Sequence, residues 1–203
     1  MEGIFITAIL PRKGRLVELY SGDEAIVTLD SALAAERALA PRMEYSVETL
    51  RELLTESQFR RAKAKALYLL GFRDYSARAL SERLRRDFDE KAVNSVMDYL
   101  TETGAVSDSR YADVLAGHLT RNKHYGRRRI LQELCAKGID RDEAEEAVYR
   151  LELDEPAAIR GLLETRFARD LADDKGIRRT IATLRRYGYQ SDDIWDAIRE
   201  NRE

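Results

Sequence analysis

Three stretches, "SARALSERL" (Ser76–Leu84), "GRRRILQEL" (Gly126–Leu134) and "GIRRTIATL" (Gly176–Leu184), align without gaps at a step of 50 residues. Self-similarity at a fixed step of this size points to tandem supersecondary units. Further along, Val93, Val96, Met97 and Leu100 correspond to Ala144, Ala147, Val148 and Leu151, and then to Ile194, Ala197, Ile198 and Asn201. In the first two copies this is an i, i+3, i+4, i+7 apolar stripe, the pattern of a helix with one buried face. Its last apolar position is lost near the chain end.

Helix punctuation agrees with the repeat. Asp89, Asp140 and Gln190 or Ser191 stand where N-caps are wanted, and Asp140 with Glu143 makes a capping-box-like pair. Gly138 and Gly188 follow the middle helices, where a left-handed residue is cheap for glycine. Each unit therefore reads as three helices: one ending near 73, 122 and 172, a middle one, and a third starting near 89, 140 and 191. Such short helices bury their apolar faces only by packing within and between units, so an elongated array is expected.

Upstream of the repeat, Asp30 or Ser31 caps a short helix ending near "APR", and Ser46 caps a long one whose second half aligns Ala62, Ala66, Leu69 and Leu70. The first thirty residues differ. β-rich runs at Ile4–Leu10, Leu16–Tyr20 and Ala25–Leu29 are separated by "PRKG" and "SGDE", which are turn compositions. They predict a three-stranded antiparallel meander, too small to be stable without a helix against it. The fold class expected is mainly α: a tandem array of three three-helix units behind a small β-meander. The predicted divisions are 1–45, 46–105, 106–152 and 153–203.

The chain has 203 residues, 35% charged and 44% hydrophobic, which suits a water-soluble globular protein. One cysteine, Cys135, excludes an internal disulfide and a cysteine-rich zinc site. Its repeat equivalents are Arg85 and Arg185, which predicts a position off the core face. No leader opens the chain, and no run approaches the ~18 apolar residues of a membrane span, so a cytoplasmic protein without membrane contact is expected. With polar ends, "MEG" and "RENRE", it is most simply a monomer.

No Walker loop, GxGxxG fingerprint or GxSxG elbow occurs. His118 and His124 are six apart, which does not match the i, i+4 spacing of a helical metal pair, and nothing supplies Cys135 with a base and an orienting group. No enzyme, metal or cofactor is expected.

The basic residues are more informative. The net charge of −2 argues against a protein that works mainly by coating phosphate backbones. Yet Val114–Gln132 holds no carboxylate, while it contains Arg121, Lys123, His124, Arg127, Arg128 and Arg129. The last three fall in the first turn of a helix, where the dipole disfavours cations by ~0.3–1 kcal/mol each. Capping does not explain them, whereas a negatively charged partner would. Tyr125 and Tyr111 nearby suit stacking on bases or a protein pocket, and Tyr111 equally suits a core. Arg78, Arg128 and Arg178 share one repeat position facing solvent; Arg60, Arg110 and Arg160 share another. Singly, each reads as an ordinary solvated arginine.

Residues 107–139, "SDSRYADVLAGHLTRNKHYGRRRILQELCAKGI", resemble the central module of the RecX regulatory proteins. The resemblance rests on Asp108, Tyr111, Ala112, Arg121, Gly126, Arg129, Ile130, Glu133, Leu134, Lys137, Gly138 and Ile139. The preceding unit is similar through Ala66, Leu67, Leu70, Arg73, Ser76, Leu80 and Leu84. It departs where Gly71 and Phe72 replace the usual Ala and Arg-type residues and where Ala79 replaces a common Glu; the third unit matches weakly.

The resemblance implies a non-enzymatic modulator, mainly an inhibitor, of the recombinase RecA. Such proteins lodge in the groove of the RecA–DNA filament and lower ATP hydrolysis, strand exchange and filament growth in homologous recombination. The partner-binding residues expected are Arg121, Lys123, Arg127, Arg128 and Lys137, with Arg73 and Arg78 as further candidates. Reversing Arg127 and Arg128 to Glu is expected to abolish inhibition with the fold intact. The alternative is a helical module binding single- or double-stranded DNA directly, where a filament binder would show only weak direct DNA binding.

Overall fold

The computed structural model describes residues 3–201; Met1, Glu2, Arg202 and Glu203, which belong to the polar ends noted above, lie outside the described residues. The chain forms two compact units. The first takes the residues up to Tyr75 together with Leu80–Val106; the second takes Ser76–Ala79 and the chain from Ser107 onward.

In the first unit the expected strand Ile4–Leu10 divides at Thr7. β1 (Gly3–Ile6) and β2 (Ala8–Arg12) precede β3 (Leu16–Ser21) and β4 (Glu24–Asp30). β2, β3 and β4 form the antiparallel meander, but β1 leaves it and pairs antiparallel with β5 (Met43–Ser46), Ile4 opposite Tyr45. Thr7 makes the switch: its N–H and its hydroxyl both donate to the Tyr20 carbonyl, at 2.7 and 3.1 Å. Ile6, Leu19 and Leu29 are fully buried against Leu33 of α1 (Ser31–Glu36) and Leu50 and Leu53 of α2 (Val47–Leu70). The buried Ser57 hydroxyl of α2 accepts the Asp30 N–H at 2.7 Å, tying sheet to helix.

Local capping follows the sequence. Asp30 accepts the N–H groups of Ala32 and Leu33, Ser46 that of Thr49, and Asp89 that of Ala92 at the start of α4 (Glu90–Glu102), after α3 (Ala77–Leu84). Val93, Val96 and Leu100 are fully buried, as the stripe predicts.

The second unit holds α5 (Asp108–Lys123), α6 (Arg127–Ala136) and α7 (Arg141–Arg150), then α8 (Glu155–Thr165), a 3-10 turn (Ala168–Ala172), α9 (Asp174–Arg186) and α10 (Ser191–Glu200). Asp140 caps α7 through the Asp142 N–H. Gly138 and Gly188 adopt φ of +87° and +96°, and the chain folds back so that Ile139 and Tyr189 N–H reach the Leu134 and Leu184 carbonyls. One core joins Ala112, Ala116, Ile130, Leu134, Ala144 and Ala147, where alanines let helices approach closely; half-buried Cys135 packs against its edge. Another joins Ile159, Leu163, Phe167, Leu184, Ile194 and Ile198.

Of the last three helices, α10 starts at Ser191 as expected, and α8 and α9 depart from the expected boundaries. α8 ends at Thr165 rather than near 172, and the buried Phe167 anchors the 3-10 turn that follows. α9 starts early, at Asp174, because Asp173 accepts the Gly176 N–H at 2.5 Å and caps the helix from within its own chain. The buried Thr180 occupies the position filled by Leu80 and Ile130 in the other copies, and its hydroxyl has no hydrogen-bond partner among the described residues.

Candidate partner-binding surface

The middle helices of the repeat begin at a joint that occurs twice in the second unit. At the first, the buried Ser76 hydroxyl donates to the Lys137 carbonyl (2.6 Å), and the Ala77 N–H donates to Asp108 Oδ1 (2.7 Å). At the second, the Gly126 N–H donates to the Tyr187 carbonyl (2.8 Å), and the Arg127 N–H donates to Glu155 Oε1 (2.8 Å). Lys137 and Tyr187 are repeat equivalents. Asp108 and Glu155 each open a first helix whose own N-cap is the residue before, Ser107 or Asp154. The orphan N–H groups at one helix start are thus satisfied by the next repeat.

This geometry supplies an anion for the basic helix start from inside the molecule. Glu155 lies against the N-terminus of α6, whose N-cap Gly126 offers no side chain; a Cβ there would come within 2.6 Å of Glu155 Oε1. The turn leading in is held as well. His124 adopts φ +55°, and its carbonyl accepts the Tyr189 hydroxyl at 3.0 Å. Burial first, then the Glu155 carboxylate, pushes the Tyr189 hydroxyl up to about 12.

Because that group is raised above its ordinary value of about 10, it favours the fold fully below pH 10 and the benefit is lost as pH rises through about 12. Tyr189→Phe is expected to lose about 1 kcal/mol at neutral pH with the hydrogen bond. Its stability should also fall less steeply than that of the parent chain between pH 10 and 12, which thermal melts across that range will read; parallel curves would exclude Tyr189 as the source.

The expected site residues divide. Arg121 and Lys123 lie exposed in the last turn of α5, where cations suit the helix dipole, and Arg121 folds back over Gly117. Arg128, in the first turn of α6, is exposed with no ion-pair partner among the described residues. Arg127 turns inward: its guanidinium donates to the carbonyls of Leu153 (2.6 Å) and Val148 (3.4 Å). Reversing Arg127 would remove these two hydrogen bonds at the end of α7, so a variant that tests the surface without touching this contact is made at Arg128 and not at Arg127. Arg129 pairs with Glu133 at 2.5 Å and lies 5.6 Å over Tyr125.

Lys137 is exposed at the opposite end of α6, about 14 Å along the helix from Arg128 at 1.5 Å per residue. The exposed Arg78 lies beside it, its side chain covering Gly138. Arg78 and Arg128 hold the same place, one at each joint. Arg73 belongs to the first unit, where its guanidinium stacks 4.3 Å over Tyr75. Arg60 and Arg160 pair with carboxylates, Arg60 with Glu36 and Glu56 and Arg160 with Glu200.

Sequence reasoning missed Asp108, Glu155, Tyr187 and Tyr189 as parts of the joints. The available signal was the pairing of a cap residue with an acid, Ser107–Asp108 and Asp154–Glu155, opening successive units. Among the described residues no group of His, Cys, Asp and Glu is placed to hold a metal ion, and no helix is long and apolar enough to cross a membrane.

Comparison with known proteins bears on this arrangement directly. Residues 62–100 match the first three-helix domain of RecX, and residues 107–148 match its second three-helix domain. The regulatory protein RecX of Clostridioides difficile (strain 630) is 32% identical over 138 residues, 68% of this chain but only 65% of that protein, so less than two thirds of its length is spanned. The RecX protein of Trichlorobacter lovleyi is 31% identical over 133 residues, covering 63% of this chain and 86% of the relative. A crystal structure of a regulatory protein RecX superposes with a TM-score of 0.69 at 17% identity, over 97% of this chain and 98% of the other, and so shares the fold. Two domain matches in series and a relative spanned over most of its length establish the kinship: the chain belongs to the RecX family of regulatory proteins.

Proposed function

We propose that this chain is a non-enzymatic regulator of the recombinase RecA, acting in the cytoplasm. It binds along the RecA–DNA filament and lowers ATP hydrolysis, strand exchange and filament growth. One observation carries the reading beyond family membership: the repeat joint is built twice, and each copy exposes an arginine at the same position, Arg78 and Arg128. A surface that repeats matches a partner that repeats, as the protomers of a filament do. We read the helical part as three tandem units, divided near residues 106 and 153, the third closed by its own Asp173 cap.

The net charge of −2 favours a protein surface over bare nucleic acid as the main partner. A direct DNA-binding module is the second reading, favoured by the exposed Arg121, Lys123 and Arg128 around a turn without carboxylates. The two separate in one titration. RecA is assembled on single-stranded DNA and its ATP hydrolysis followed as this chain is added below stoichiometry. A fall in rate at a small ratio of chain to RecA supports filament regulation. An unchanged rate up to equal amounts, with tight binding to bare DNA that weakens steeply with salt, supports the DNA module instead.

A further inference from the structure

Beside the second joint lies an open recess of about 570 Å³, lined by Tyr125, Arg129, Arg166, Phe167, Thr183, Arg186 and Tyr187, with no carboxylate in its wall. Its size falls within the roughly 300–1,000 Å³ of small-ligand sites. Tyr125 and Tyr187 form a tilted pair, ring centres 5.6 Å apart. Guanidiniums flank both rings: Arg129 lies 5.6 Å over Tyr125, and Arg166 lies 5.6 Å over Tyr187 and 5.7 Å over Phe167.

The three arginines are not alike. Arg129 is committed to Glu133, although its Nε is buried without a hydrogen-bond partner among the described residues. Arg166 and Arg186 are exposed, and neither has a carboxylate partner among the described residues. Among the described residues Arg186 makes a 3.2 Å hydrogen bond to the Thr183 hydroxyl. Helix polarity accounts for one cation at the end of α8 and one at the end of α9. It does not account for two unpaired guanidiniums converging on a recess walled by three aromatic rings.

Planar rings and unpaired guanidiniums in one recess are what a nucleotide requires, since the base stacks on an aromatic face and the phosphate takes charge-assisted hydrogen bonds from arginine. We propose that this recess is a binding site for one nucleotide unit: its base lies against Tyr125 and Tyr187, and its phosphate is held by Arg166 and Arg186. The nucleotide is either free or part of a single-stranded nucleic acid. The site is distinct from the Arg121, Lys123 and Arg128 surface, and it stands or falls without RecA.

The test is calorimetric titration of the full chain, with no RecA present, using three probes in turn: ATP, a hexathymidylate oligonucleotide and inorganic phosphate. Binding of ATP, of the oligonucleotide or of both is expected, and which of them binds identifies the source. The variant Arg166→Gln/Arg186→Gln replaces exposed side chains only. It should weaken that binding by about tenfold or more, as loss of a charged hydrogen bond implies. Lys175→Gln/Arg178→Gln, which removes two exposed cations that do not line the recess, should leave it within about twofold. Three outcomes overturn the proposal: neither nucleotide probe binds, binding survives in the Arg166/Arg186 variant, or inorganic phosphate binds as tightly as the nucleotide.

Discussion

Gly188→Ala is expected to destabilise the chain by about 2–5 kcal/mol, the sum of a left-handed backbone penalty and an overpacked contact. Gly188 sits at φ +96°, and a Cβ there would come within 2.5 Å of the Arg129 backbone nitrogen. That neighbour is main chain in the first turn of α6, held by the Gly126 and Arg127 hydrogen bonds, so it has no rotamer to yield. Two other glycines separate the contributions. Gly104, at φ +68°, has open space around it, so Gly104→Ala should show the backbone penalty alone, about 1–2 kcal/mol. At Gly138, φ +87°, a Cβ would meet Arg78 Cδ at 2.5 Å, which can swing aside, and Arg78 Cβ at 2.8 Å, which no rotamer change moves, so Gly138→Ala should cost more than Gly104→Ala. Denaturant midpoints by circular dichroism measure all three. If Gly188→Ala matches Gly104→Ala, the joint is not the close backbone contact described above.

The same joint marks the limit of what the sequence discloses. Caps such as Asp30, Ser46, Asp89 and Asp140 act within their own turn, so their chemistry is readable from neighbouring letters. The period-50 repeat likewise locates the middle helices and the buried Leu84, Leu134 and Leu184. Pairing between distant segments is different. The departure of β1 from the meander depends on β5, whose "MEYS" is short, half exposed and carries no strand pattern. The basic helix start shows the point most directly. Three arginines in a first turn are locally unfavourable, which argues for an outside anion. The anion that reaches α6 is Glu155, 28 residues along the chain from Arg127, and only an overlay of Ser107–Asp108 on Asp154–Glu155 would have found it. With that contact in place, Arg127 is accounted for by the fold, while Arg128 is not.

Arg128 therefore carries the functional test, together with Arg121 and Lys123. On the proposed role as a RecA regulator, replacing all three by Glu is expected to raise the concentration that halves RecA's ATP hydrolysis by about a hundredfold or more, since carboxylates set against an acidic partner surface cost several kcal/mol. The effect on folding should be far smaller. Reversing Arg121 and Lys123 at the end of α5 costs about 0.3–1 kcal/mol each, and a carboxylate at position 128 suits the start of α6 by a similar amount. Arg178→Glu is the control, because Arg178 is exposed at the same repeat position but sits in α9, whose start is capped by its own Asp173 instead of a following repeat. If inhibition depends on the joints, the triple variant fails at concentrations where Arg178→Glu still works. Full inhibition by the triple variant, folded by circular dichroism, would remove this surface from the mechanism. An equal loss per charge reversed, three reversals against one, would mean that the whole positive field matters and the joint geometry does not, because a diffuse field responds to net charge whereas a docked surface responds to position.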